Sequence, residues 1–428
     1  MRGLLIRGGR VVDPAAGLDG ARDVLLRDGA VAGVGERLER GDAEVLDATG
    51  LLVFPGFIDL HVHLREPGRE YAETIASGAA AAAAGGFTAV CAMPNTEPTN
   101  DDRSVTAFVS ARGVEAGAAR VYPIGAITRG RKGAEIAEFG EMQRAGAVAV
   151  SDDGDWVADG DLLRRALQHA SLYGLPVVQH AEDTSLSRRA PMHEGGVSTR
   201  LGLAGQPDVA EASAVARDLL VARLAGGRLH LAHLSTALAV ASVREAKSRG
   251  LPVTCEATPH HLTLTDEEVA RSGYSTRFKM NPPLRESGDV AALVEALEDG
   301  TVDAIASDHA PHHADEKAVE FDAAPFGVVG LETAAAVVHD RLVRPGRLSL
   351  RRFVELLSRG PARTFGLPGG TLAPGSPADV TLFDPMKRWT VDPARFLSLG
   401  RSTPFAGWEL VGAPAATIVG GRVVWSGR

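Results

Sequence analysis

At 428 residues, with 45% hydrophobic and 23% charged residues, the chain exceeds what a single core usually organises. It reads as a large folded domain with a smaller companion, which excludes disordered and collagen-like classes. The net charge of -9 offers no basic field for a polyanion, so nucleic acid is not an expected partner and an anionic substrate needs a local cation. Only Cys91 and Cys255 occur, far apart, which excludes a disulfide framework and a cysteine-built zinc site and fits a reducing, cytoplasmic location.

The first run, MRGLLIRGGRVVDP, is broken by Arg and Gly before a signal-peptide core can form. No later apolar run approaches a membrane span, so no membrane association is expected. Short strand-like runs punctuated by Gly, Asp and Pro fill the chain to about residue 54, and runs of the same character return in TLAPGSPADVTLFDP and TIVGGRVVWSGR. The motif GGRVV stands in both, at Gly8–Val12 and Gly420–Val424. The expectation is a small β-sandwich-like domain built from residues 1–54 together with 370–428.

Between the two ends, eight apolar strand-like runs alternate with helix-like segments: FIDLHVHL, FTAVCAMPN, VYPIGAIT, AVAVSDDG, PVVQHAED, LHLAHLST, PVTCEATPHHL and DAIASDHAPHH. Such alternation predicts an α/β fold, a (β/α)8 TIM barrel over residues 55–369, because its buried parallel strands read as continuous apolar runs. No glycine-rich dinucleotide fingerprint follows any of them, which argues against an open doubly wound sheet. The alanine run Ala79–Ala84 reads as a closely packed helix.

Barrel enzymes assemble their sites at the C-terminal ends of the strands, and here most of those ends carry metal-capable or polar side chains. His61 and His63 close the first, Asn95 the second, Asp152 and Asp153 the fourth, His180 the fifth, His233 the sixth and Asp308 the eighth. Alternation along FIDLHVHLRE puts Asp59, His61, His63 and Arg65 on one face, a metal corner with a cation beside it. His230 and His233 face opposite sides of their strand, and His233 is nearer its end. Asp153 shares parity with Ala147, Ala149 and Ser151, which favours it over Asp152. His169, His193 and His339 lie away from the strand ends and suit packing or surface roles.

Four histidines and two aspartates exceed the three protein ligands of one catalytic zinc, whereas two metals sharing one carboxylate use all six and lower the pKa of water held between them. This constellation resembles the amidohydrolase superfamily and, within it, the bacterial class I dihydroorotases, along essentially the whole chain. DLHVHLREPG at Asp59–Gly68, AMPNTEP at Ala92–Pro98, SDDG at Ser151–Gly154 and QHAED at Gln179–Asp183 carry the resemblance. So do HLAHLST at His230–Thr236, ATPHHL at Ala257–Leu262, KMNPPLR at Lys279–Arg285, ASDHAPH at Ala306–His312 and PFGVVGLET at Pro325–Thr333.

The resemblance implies reversible zinc-dependent cyclisation of N-carbamoyl-L-aspartate to L-dihydroorotate, a step of pyrimidine synthesis. Carried over residue by residue, His61, His63 and Asp308 hold one zinc, His180 and His233 the other, and Asp153 bridges them. Asp308 doubles as the catalytic proton carrier. Arg65, Asn95 and His312 take the substrate carboxylate beside His63, while Asn281 and the backbone at Phe326 and Gly327 read the ring amides. Many superfamily members bridge their metals with a carboxylated lysine on the fourth strand; none stands here, and Lys132 lies in a polar loop. A homodimer and association with aspartate transcarbamoylase belong to the same expectation. The alternatives are a hydantoinase, dihydropyrimidinase or allantoinase, and a non-catalytic scaffold of aspartate transcarbamoylase.

Overall fold

A computed structural model describes residues 3–427; the outermost limits of the expected β-domain, 1 and 428, fall outside the described residues. Eight parallel strands pair in sequence order to form the barrel: Phe57–Val62, Phe87–Ala92, Arg120–Gly125, Ala149–Ser151, Val177–Gln179, Leu229–Leu231, Val253–Ala257 and Ala304–Ile305. Several are only two or three residues long, yet nearly all of their residues are buried between an inner and an outer layer of apolar side chains. A parallel bridge between Val62 and His309 joins the first strand to the segment just past the eighth, where His63 N–H donates to the His309 carbonyl at 2.8 Å. The barrel therefore closes among the residues singled out for chemistry.

Inside the strands, Ile58, Leu60, Ala89, Cys91, Ile124 and Val178 pack together, and Ala362, Phe365 and Leu367 close one end. Outside, the helices pack on Val62, Val90, Val150, Val177 and Leu231. The alanine-rich helix Ile75–Ala84 begins with Thr74 and Ser77 capping each other's backbone N–H groups and stops at Gly85. Its small residues allow close approach: a Cβ at Gly78 would stand 2.4 Å from the Leu64 side chain.

The remaining large sheet is built from both ends of the chain. Leu52–Pro55, from the N-terminal half, pairs antiparallel with Val380–Thr390, so that Arg422–Ser426 and Glu409–Val419 extend it on one side and Leu4–Asp13, Leu18–Arg27 and Ala30–Gly35 on the other. Phe54 of this sheet stacks on Phe57 of the barrel at 5.5 Å, and Phe353 and Phe383 complete the cluster. Each such ring pair adds about 0.5 to 1.5 kcal/mol beyond its burial, which fastens sheet to barrel where only Pro55 and Gly56 separate them.

Candidate active site

The first barrel strand does not alternate cleanly: its pairing with the second slips between Phe57 and Ile58 and again between Asp59 and Val62. The expectation of four residues on one face is corrected accordingly. Asp59 turns to the backbone, accepting N–H bonds from His61 at 3.0 Å and Ser307 at 3.1 Å, while Arg65 lies beyond the strand end. His61 and His63 alone reach the cluster that forms at the strand ends.

Asp153 stands at its centre. One carboxylate oxygen lies 3.3 Å from His61 Nε2, 3.4 Å from His233 Nε2 and 3.5 Å from His180 Nδ1, and the other lies 3.5 Å from His63 Nε2. Asp308 completes the group, 3.3 Å from His63 Nε2 and 3.6 Å from His61 Nε2. Asp152 points elsewhere: it accepts the N–H groups of Ile127 and Thr128 at 2.9 Å and the Thr128 hydroxyl, and so shapes the loop after the third strand.

Two residue sets, His61 with His63 and Asp308, and His61 with Asp153 and His233, present ligand atoms close enough to share a metal ion. The donor set fits a divalent cation on other grounds too. His61 Nε2 and Asp153 Oδ1 are buried, face each other and have no hydrogen-bond partner among the described residues, a condition costing about 1 to 3 kcal/mol per group in a dry protein. Burial disfavours charge on Asp153, yet the surrounding imidazoles outweigh it and hold the carboxylate well below its ordinary range. A pocket of carboxylates and imidazoles that strongly favours positive charge is one that nitrogen- and oxygen-loving metals fill.

The orientation of each ring is fixed from behind. His61 Nδ1–H donates to Glu256 at 2.8 Å, and the same carboxylate takes His230 Nε2–H at 3.1 Å. His63 Nδ1–H donates to Asn95 Oδ1 at 2.8 Å. His180 Nε2–H donates to Glu182 at 3.1 Å, which in turn accepts from Asn281 Nδ2 at 2.7 Å and from the Ser187 hydroxyl. Glu256 and Glu182 were not anticipated. Buried, hydrogen-bonded carboxylates of this kind fix the tautomer of a metal-binding imidazole and raise its basicity. Burial opposes their charge as well, but the histidine bonds prevail and lower both to about 2. Glu256 could have been found as the lone acid inside the apolar run VTCEA.

Backbone strain marks the same places. Arg65, His233 and Asp308 adopt left-handed conformations with φ of 59°, 31° and 47°, unfavourable for non-glycine residues. Anchors hold them there: Glu211 accepts the Ser235 and Thr236 N–H groups behind His233, Arg285 donates to the Ser235 hydroxyl, and His309 donates to Glu73 behind Asp308.

The expected carboxylate clamp is only partly assembled. Arg65 is 7% exposed and donates through Nε to the Pro311 carbonyl at 3.1 Å. It pairs with neither nearby acid, since Glu66 binds Arg112 at 2.8 Å and Glu70 caps Gly68 N–H. Its outer fork thus remains available for a carboxylate. His312 Nε2–H donates to the Phe326 carbonyl at 2.8 Å. Asn281 is occupied at both ends, by Glu182 and by Gln206 Nε2 at 3.1 Å. Gly327 N–H donates to the Lys279 carbonyl, which leaves the Phe326 N–H as the backbone donor without an acceptor at that turn among the described residues. Lys132 is exposed in its loop. His169 stacks on Phe139 at 5.0 Å and His339 packs by Phe383 at 4.9 Å, as packing residues would, while His193 accepts a bond from Arg285 at 3.1 Å. No helix among the described residues is long and apolar enough to cross a membrane.

Comparison with known proteins agrees with this geometry. Residues 50–238 match the model of the family described as dihydro-orotase-like. The chain is 61% identical over 422 residues to the dihydroorotase of Anaeromyxobacter dehalogenans, covering 98% of this chain and 97% of that one. It is 56% identical to the dihydroorotase of Pelotomaculum thermopropionicum, covering 99% of each. Among solved structures it is similar to the L-hydantoinase (dihydropyrimidinase) of Arthrobacter aurescens, with a TM-score of 0.88 and 28% identity over 100% of this chain and 96% of that one.

Proposed function

The chain belongs to the dihydroorotase family of cyclic amidohydrolases, and from that premise we propose that it interconverts L-dihydroorotate and N-carbamoyl-L-aspartate at the mouth of the barrel. The observation that carries the reading is the outer guanidinium fork of Arg65, unpaired among the described residues, beside a buried four-histidine, two-aspartate cluster: a substrate carboxylate next to a metal-assisted amide reaction needs that pair of features. His61, His63 and Asp308 would hold one zinc ion and His180 and His233 a second, with Asp153 shared. When bound, such ions polarise an amide carbonyl and make water acidic near neutral pH.

The protein's own groups do the rest. Arg65 binds the substrate carboxylate bidentately, with Asn95 and His312 beside it and His63 at the edge of the reacting amide. Phe326 N–H donates to a ring carbonyl, with Gly327 shaping that turn and Asn281 closing the opposite side. In the hydrolytic direction the water oxygen bonds to the amide carbon as the ring C–N bond breaks. Asp308 accepts the proton that water loses and delivers it to the departing nitrogen. Its ionised state is already favoured, because His63 and the charges around it outweigh the penalty of burial and lower its pKa.

A hydantoinase reading draws on the structural likeness, but the 28% identity to the Arthrobacter enzyme is less than half the 61% identity to the Anaeromyxobacter one. Turnover of L-dihydroorotate against a hydantoin lacking the carboxylate, after chelation and zinc titration, tests the assignment. Zinc-restored activity on dihydroorotate with little on hydantoin is expected; preference for the hydantoin would overturn it. A homodimer, association with aspartate transcarbamoylase and a cytoplasmic location belong to the same reading, and gel filtration of the protein alone and with that enzyme checks the first two.

A further inference from the structure

The segment after the eighth strand carries a buried ammonium that none of the chemistry above uses. Lys317, the last residue of the short helix Ala314–Lys317, is 7% exposed, and its Nζ donates to the carbonyls of Pro325 at 2.8 Å, Gly327 at 2.9 Å and Lys279 at 3.4 Å. All three acceptors are neutral. A second lysine grips the same turn from the other side: Lys279 Nζ donates to the Phe321 and Asp322 carbonyls at 2.7 and 2.8 Å and lies 4.8 Å from the Phe326 ring centre. Burying an ammonium against carbonyls alone is costly, so the arrangement calls for a reason.

Peptide geometry supplies one. The Pro325–Phe326 bond is planar and trans, so fixing the Pro325 carbonyl on Lys317 points the Phe326 N–H the opposite way. That N–H is the donor left without an acceptor, and the Phe326 carbonyl on its far side is fixed by His312. Gly327, at φ 129°, bends the chain between the two grips, and no side chain fits there: a Cβ would stand 2.7 Å from the Ala310 carbonyl oxygen.

We propose that Lys317 is a positioning residue for the substrate, holding the Pro325 and Gly327 carbonyls so that the Phe326 N–H stays aimed at the bound ring. The inference rests on the dihydroorotate reading and adds a residue to it. Lys317 touches no reacting atom, so losing its grip weakens substrate and transition state alike, which appears in KM and spares kcat.

The charge on Lys317 gives a readout that mere packing would not. Burial pulls its pKa down to about 7, Lys279 adds repulsion and Glu316 on the same helix opposes both. Across the turn stand Asp322, beside Lys279, and His312, whose pKa burial and then Arg65 lower to about 3, so that it stays neutral through the relevant range. The ammonium is therefore present below pH 7 and lost above it, and its contribution to KM follows.

The test is steady-state kinetics of zinc-loaded wild type and Lys317→Met, in both directions, from pH 6 to 9. The expected result is KM for dihydroorotate raised about 5- to 10-fold at pH 6, the worth of one lost neutral hydrogen bond between the Phe326 N–H and the ring, with kcat within about twofold. The ratio of variant to wild-type KM should fall toward one by pH 9. Unchanged KM, a fall confined to kcat, or a ratio flat in pH would each overturn the assignment. If Lys317→Met does not fold, the wild type alone decides: its KM should rise between pH 6 and 8.5, and a flat or falling KM overturns the role. Active wild type with an indifferent Lys317 sinks this inference only. Wild type inert toward both substrates sinks the functional reading and this inference with it.

Discussion

Inside the barrel, the interior around Ile58, Leu60, Ala89, Cys91 and Val178 is apolar and is closed by Ala362, Phe365 and Leu367. A few residues further along the same strands, the interior holds imidazoles, carboxylates and a guanidinium, all buried, and among the described residues His61, His233 and Asp153 each keep a polar atom without a hydrogen-bond partner. The difference teaches how the molecule divides its labour. Apolar packing at one end supplies free energy, and that surplus holds the strained, charge-rich end in a geometry it would not keep alone.

Asp308→Asn should give the largest effect on the charged end. It removes the proton carrier while keeping shape, so kcat should drop on the order of 10³-fold with the thermal midpoint nearly unchanged. A loss of fold as large as the loss of rate would erase the division between the two ends. Phe365→Ala probes the apolar end: about 3 to 5 kcal/mol of unfolding free energy should be lost by denaturant titration, with metal affinity and kcat retained by the folded fraction. Glu256→Gln lies between them, since it touches His61 from behind. Zinc affinity by competitive chelation should weaken about 10- to 100-fold, and a full return of activity at high zinc would mark an orienting role. Arg244→Ala, which breaks a partly exposed pair with Asp299 at 2.8 Å, should shift stability by less than about 1 kcal/mol and sets the background for the others.

The apolar end and the strand count were legible because burial on two faces writes a continuous apolar run, and eight such runs stand between helical segments. The candidate ligands were legible because they sit at strand ends, and parity singled out Asp153, the residue the structure sets among four imidazoles, while Asp152 folds back on the Thr128 loop. Parity misled in the first strand, where the register slips before Ile58 and again between Asp59 and Val62, a feature that leaves no mark in the alternation itself. Glu182 and Glu256 escaped for a different reason. An acid that orients a histidine 195 positions away looks, in sequence, like any other acid, and only its burial gives it meaning. The grip of Lys317 on three carbonyls is invisible for the same reason, because backbone acceptors have no letter in the sequence.

The bridge between Val62 and His309 has a consequence for how the enzyme comes into being. His61 and His63 leave the ribosome roughly 250 residues before Asp308 does, an interval of tens of seconds at ordinary translation speed. During that time the two histidines lack the last carboxylate of their cluster, and the strand that seals the barrel does not yet exist. Closure of the barrel and completion of the cluster are therefore one event, so that a chain halted before its eighth strand carries the HxH motif without the centre that motif announces.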